Sequence, residues 1–358
     1  MSILAGVRVL ELAAIGPVPW CAMLLADMGA SVVRIDRPGA ARSETAIERG
    51  RSRVCLDLKE DGGRDQARAL ISRADVLLEG MRPGVAERLG LGPQACMRLN
   101  PALVFGRMTG WGQSGPLADR AGHDINYIAL SGALHAIGPR DRPVPPLNLV
   151  GDFGGGGAFL AIGVLAALLK ARETGVGEVV DAAMLDGAAA LMAAPYKNLG
   201  LGKWKDERES NLLDGGAPWY GIYQTQCGGF VAVGAIEPDF YAELLAGLGL
   251  AASEVPDRGG PENWPAIRAL FTQRFASRTR AQWAAVFDAS DACVTPVLSM
   301  TEAPQHPHNQ ARQVFAQWGR HPAPAPTPRF HHQPSRLAGA SEDVEIGELI
   351  DRWGKAQA

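Results

Sequence analysis

The chain opens on a strand–helix–strand rhythm, and that rhythm most constrains what it can fold into. Residues 7–12 (V-R-V-L-E-L) read as a strand, 19–28 as a helix stopped by Gly29, and 31–35 (S-V-V-R-I) as a second strand. A short helical crossover between runs rich in β-branched residues predicts parallel pairing. Strand 54–56, helix 64–72 and strands 76–78 and 103–108 continue the alternation, which predicts an α/β layer fold. Longer helices are predicted from Asp124 toward Ala136 and from Asp152 to about Arg172, followed by strand 179–180 and helix 184–199.

At roughly 150 residues per domain, 358 residues favour two domains over one. The stretch 200–216 (GLGKWKDERESNLLDGG) is polar and glycine-containing, and reads as a linker. After it the grammar changes. Residues 220–225 and 230–234 flank a Cys-Gly-Gly turn as a β-hairpin, and helices are predicted at 239–248, 264–275 and 280–287. Residues 321–328 (HPAPAPTP) read as an extended stretch returning toward the first domain or running along its surface.

Composition narrows the function. A net charge of -3 provides no basic field, so nucleic-acid binding is not expected. Cys21, Cys55, Cys96, Cys227 and Cys293 are scattered without C-x-x-C, which reads as reduced thiols rather than a disulfide framework or zinc site. The longest apolar run, 158–169, falls short of the roughly 20 residues of a membrane span. A soluble cytoplasmic protein with no membrane partner is expected.

Several residues are candidates for chemistry. The first turn (A-A-I-G-P-V-P) lacks G-x-G-x-x-G, so Asp36, placed where a ribose-binding acid stands, does not make a nicotinamide site. Between 34 and 53, Arg34, Arg37, Arg42, Arg49, Arg51 and Arg53 meet only Asp36, Glu44 and Glu48. Such a cluster is either a solvated basic loop or a cradle for a polyphosphorylated ligand. G-H-D-I-N-Y at 122–127 and G-D-F-G-G-G-G at 151–157 each put an ionisable side chain at a predicted helix start. There Asp152 is either an N-cap or a functional carboxylate. Four consecutive glycines make sense where something must approach the backbone. His123 alone reads as a structural histidine. His306, His308, His331 and His332 read as surface residues without metal-ligand spacing.

Longer strings add to this reading. They include C-L-D-L-K (55–59), D-V-L-L-E-G-M-R-P-G-V (75–85), R-M-T-G-W-G-Q-S-G-P (107–116) and G-H-D-I-N-Y. P-L-N-L-V-G-D-F-G-G-G, N-L-L-D-G-G-A-P (211–218), V-A-V-G-A-I-E-P-D-F-Y (231–241) and D-A-C-V-T-P-V (291–297) follow in order. Over about residues 5–300 the chain resembles the α-methylacyl-CoA racemase branch of the class III CoA-transferase family.

The resemblance implies a Rossmann-like large domain with a parallel sheet, from 1–200 completed by 315–358. It implies a linker at 201–218, a smaller α+β domain at 219–314, and an interlocked homodimer. Its catalytic His falls on His123, its catalytic Asp on Asp152 and a supporting Glu on Glu237. CoA contacts fall on Arg37, Leu56, Asp57, Leu58, Lys59, Arg82, Gly122, Asp124, Ile125, Asn126 and Tyr127. The implied substrate is an acyl-CoA, and neither a metal nor a separate cofactor is called for, CoA being part of the substrate. The implied reaction interconverts (R)- and (S)-2-methylacyl-CoA thioesters by two bases, one per face of an enolate-like intermediate. The alternative is a CoA-transferase of the same fold, with Asp152 as nucleophile forming an anhydride. Leu212 stands where the family string commonly has Met, and the chain ends K-A-Q-A without a peroxisomal signal.

Overall fold

The computed structural model describes residues 2–41, 45–333 and 337–354. Arg42, Glu44 and the K-A-Q-A end therefore lie outside the described residues. The chain divides into two compact units, Met1–Ala133 with Pro146–Ala193 and Arg312–Ala358, and Leu134–Pro145 with Ala194–Ala311. The stretch expected as a linker at 201–218 is part of the second unit, because its own hydrogen bonds fold it. Asn211 Nδ2 donates to the carbonyls of Lys205 and Glu207, and Asp214 Oδ1 accepts from the N–H of Asn211 and of Gly216.

The first unit begins β1 (Arg8–Leu12), α1 (Pro17–Asp27), β2 (Ser31–Asp36), β3 (Arg51–Cys55), α2 (Asp61–Ile71) and β4 (Val76–Glu79). It continues α3 (Val85–Arg88), α4 (Pro93–Leu99), β5 (Val104–Thr109) and α5 (Asp124–Leu130), after which α6 (Ala133–Ala136) belongs, past its first residue, to the second unit. Then come a π-helix (Leu149–Ala158), α7 (Phe159–Thr174), β6 (Glu178–Ala183) and α8 (Met184–Leu191), after which α9 (Ala193–Gly200) belongs, past its first residue, to the second unit. A seventh, C-terminal strand pairs with β3, and the six strands just named run β3-β2-β1-β4-β5-β6, all parallel. The α/β expectation is met, and the strand order reverses between β1 and β4. In open parallel sheets that reversal opens a crevice at the strands' carboxyl ends.

Three helices depart from their expected extents. The helix expected over 124–136 breaks at Ser131–Gly132, where Gly132 takes φ 83°. The one expected over 184–199 is likewise two helices, α8 and α9. The one expected from Asp152 starts at Leu149 as a π-helix and runs unbroken into α7. Its 26 residues are long and apolar enough to cross a membrane by length and composition. Here Leu160, Ala161, Val164, Ala167, Leu168 and Ala171 pack with Val76, Leu78 and Val104 of β4 and β5 in the core.

The arginine cluster is mostly interior. Arg51 and Glu11 pair at 2.6 Å, both fully buried, and Arg34 reaches the same carboxylate at 2.9 Å. Arg49 pairs with Asp27 at 2.5 Å, and Arg53 with Asp36 at 2.7 Å. Asp36 also accepts from Arg34, so both of its carboxylate oxygens are engaged within the fold. Four of the six arginines thus serve the fold, a correction to the phosphate-cradle reading. Deleting one partner of a buried pair leaves an uncompensated charge. Glu11→Ala is expected to cost about 3–5 kcal/mol of stability, read by urea denaturation.

The second unit is built on β7 (Tyr220–Gln224), β8 (Phe230–Gly234), α10 (Pro238–Leu248), α11 (Trp264–Phe275), α12 (Arg280–Phe287), β9 (Val294–Pro296) and α13 (Pro307–Ala311). The three strands form an antiparallel sheet, the first two as the expected hairpin. Its core packs Trp219, Tyr223 and Val231 with Leu244, Phe271, Phe275 and Trp283. The C-terminal part of the first unit adds the hairpin β10 (Phe315–Trp318) and β11 (His321–Pro324), then β12 (Glu342–Asp343) on the β3 edge. Last comes α14 (Ile346–Gly354), whose Leu349 and Trp353 join the core with Leu70 and Ile71. All five cysteines are free thiols.

Candidate active site

At the carboxyl ends of the central strands the first unit holds a cleft of about 550 Å³. Residues 15–18 after β1, 80–83 after β4 and 108–111 at the end of β5 and just beyond it line it, with Met184 at the start of α8. His123, Tyr127, Asn148 and Asp152 complete the wall. This is where strand order reverses, the position an open α/β sheet offers a ligand.

His123 is exposed and stands at the N-cap of α5 in extended backbone (φ −134°, ψ 171°). Its own N–H donates to Asn126 Oδ1 at 3.0 Å, so the helix start is closed without using the imidazole. Asp152 is not the N-cap of its helix. It is the fourth residue of the π-helical run and is half-buried. Asn148 Nδ2 donates to its Oδ2 at 3.1 Å, and a Cβ placed on Gly16 would lie 3.4 Å from that oxygen. Gly16 has φ 70°, so glycine serves there both the turn and the room for the carboxylate.

Tyr127 is buried and stacks edge-on against Trp111, ring centroids 4.7 Å apart. Burial and the nearby Asp152 charge push its phenol pKa up, while Arg82 pulls it down. Tyr127 and Asp152 line the same cleft. A Cβ on Gly110 would stand 2.0 Å from this ring, so glycine is required for the ring to seat.

The other expected site residues separate into two groups. Arg82 and Gly122 line the cleft with His123 and Tyr127. Arg37 and Lys59 are exposed beyond β2 and β3 on the same carboxyl edge, outside the cleft wall, with Asp57 and half-buried Leu58 beside them. Leu56 is a core residue at 6% exposure, held by its N–H to the Asp36 carbonyl. Ile125 and Asn126 are exposed on α5, whereas Asp124 points inward. Glu237 belongs to the second unit, exposed at the N-cap of α10, where it makes no side-chain cap. Burial first, then the Glu237, Asp291 and Glu243 charges, raise the nearby Cys293 thiol pKa. Sequence reasoning missed Asn148, Gly16 and Arg120, which also lines the cleft. Asn148 lay in the P-L-N-L-V-G-D string four residues before Asp152, the spacing of adjacent turns.

Among the described residues no group of three or more His, Cys, Asp or Glu could hold a metal ion. The cleft can instead offer an imidazole and a carboxyl to one small reacting centre, with Arg82 and Arg120 for an anionic portion.

Residues 4–344 match the sequence pattern of CoA-transferase family III. The chain belongs to that family. Within family III it is 47% identical to the alpha-methylacyl-CoA racemase of Mus musculus over 97% of this chain and 91% of that one. It is 45% identical to the racemase of the same name from Homo sapiens, over 98% and 93%. A crystal structure of a CaiB/BaiF family protein from Brucella suis shares the family III fold at a TM-score of 0.80 and 23% identity. That match covers 98% of both chains.

Proposed function

We propose that the chain is an α-methylacyl-CoA racemase that works with two bases. The observation that carries this is that His123 and Asp152, distant in sequence, line one cleft. One enantiomer gives its C2 proton to the neutral imidazole. The C–H electron pair becomes the enolate, and a protonated Asp152 returns a proton to the opposite face. The other enantiomer uses the same groups in reverse, so the atoms balance in both directions. A base on each face is the direct way to invert a carbon that has no leaving group.

The enolate oxygen needs a donor where charge develops. We assign the Asp124 backbone N–H, at the start of α5 beside His123. Glu237 is assigned to orient the imidazole. Arg82, with Arg37 and Lys59 along the strand ends, is assigned to the CoA phosphates, so remote binding orients the thioester. A homodimer belongs to this proposal. Leu130, Leu147, Leu149 and Leu191 stand 62%, 73%, 58% and 49% exposed in the first unit, an apolar surface a second copy would cover.

Incubating one enantiomer of a 2-methylacyl-CoA in D2O, with NMR at C2, tests the reading. Deuterium entry with loss of configuration is expected. No exchange, together with transfer of CoA to a free acid, would mean that Asp152 attacks the thioester carbonyl instead. CoA would then leave as its thiolate from a mixed anhydride.

A further inference from the structure

Asp124 follows His123 directly, yet its side chain turns away from the cleft and is only 8% exposed. Its Oδ1 accepts the backbone N–H of Asp152 at 2.7 Å. Its Oδ2 is buried with no hydrogen-bond partner among the described residues. A Cβ on Gly151 would sit 2.4 Å from Oδ1, so only glycine at 151 lets the carboxyl lie against this backbone.

The first turn of any helix leaves N–H groups without an acceptor of its own. Asp152 is in that turn, and Leu147, five residues earlier, takes φ 58° and leads away from the helical path. The Asp124 carboxyl supplies the acceptor the helix lacks. Burial and the Asp152 charge push the Asp124 pKa up, against the N–H groups of Asp152 and Gly151, which pull it down. A carboxyl that keeps its proton on Oδ2 still accepts at Oδ1, so the contact survives in either state.

We propose that Asp124 is a positioning residue: its carboxyl ties the helix that begins at His123 to the backbone of Asp152, and so fixes one base relative to the other. The proposal rests on the two-base reading above. Its consequence is one-sided. His123 is held by the Asn126 cap, which does not involve the Asp124 side chain. Asp152 loses its backbone anchor if the carboxyl goes.

The test starts each enantiomer of a 2-methylacyl-CoA separately in D2O and compares wild type, Asp124→Ala and Asp124→Asn, with Asp152→Asn marking which enantiomer depends on Asp152. For Asp124→Ala, exchange of that enantiomer is expected to fall about 100-fold, the scale of a 1 Å misplacement. Exchange of the other enantiomer is expected to stay near wild type. Asp124→Asn keeps an oxygen acceptor and is expected to restore the lost exchange. Equal loss for both enantiomers, or loss for neither, overturns the proposal. If Asp124→Ala does not fold, Asp124→Asn decides alone: near-wild-type exchange of both enantiomers supports the tie, and a large loss of either overturns it. A wild-type chain that exchanges neither enantiomer overturns the racemase reading itself, a failure distinguishable from that of Asp124.

Discussion

Asp152→Asn is expected to lower kcat for racemisation by about 10²–10⁴-fold, the usual contribution of a positioned acid or base. The substitution keeps the shape of the side chain, and its amide oxygen can still accept from Asn148, which donates to Asp152 Oδ2 at 3.1 Å. The π-helix is held by backbone and by Asp124, so the unfolding midpoint should move little. What disappears is the ability to carry a proton at that oxygen. The enantiomer whose C2 proton faces His123 should then exchange deuterium while keeping its configuration. His123→Ala should give the mirror result, because the α5 cap uses the His123 backbone and Asn126 rather than the imidazole. Steady-state rates and C2 exchange on both variants check this. Racemisation above half the wild-type rate in either variant would end the two-base account.

The sequence made the sheet legible and its partners much less so. β1, β2 and the second unit's hairpin followed from runs of β-branched residues between turn signals, which report local backbone preference directly. The boundaries of α11 and α12 followed from their apolar spacing in the same way. Strand order did not follow, because it depends on which strands meet rather than on what each contains. The arginines show the same gap. A local excess of cations looks like a phosphate site until Glu11 of β1 and Asp27 of α1 are brought beside it, and those acids lie outside the counted window. His123, Asp152 and Glu237 were marked by helix-start position and by family resemblance. The first two meet in one cleft. That Asp152 lies inside a π-helical run was hidden, because glycines read as a poor helix start.

Those glycines were expected to let substrate approach the backbone, and the structure gives them another neighbour. A Cβ on Gly155 would lie 2.6 Å from the Ala188 nitrogen, and one on Gly157 would lie 2.6 Å from the Trp20 ring. From the other side, a Cβ on Gly187 of α8 would stand 1.9 Å from the Gly155 carbonyl oxygen. The π-helix and α8 therefore touch backbone to backbone, with no flexible side chain to yield. Gly187→Ala must push them apart by more than about 1 Å. Overpacking of this kind costs about 1–3 kcal/mol. The larger effect is expected in the rate, because Asp152 sits on one partner and Met184, at the mouth of the other, lines the cleft. A displacement of that size is expected to lower kcat about 100-fold. Gly200→Ala supplies the contrast: a helical glycine with nothing within 4 Å of its Cβ position, where the methyl should be neutral or slightly stabilising. Thermal melts and racemisation rates on both variants decide the matter. A Gly187→Ala protein with the wild-type rate and melting temperature would show that this contact does not set the position of Asp152.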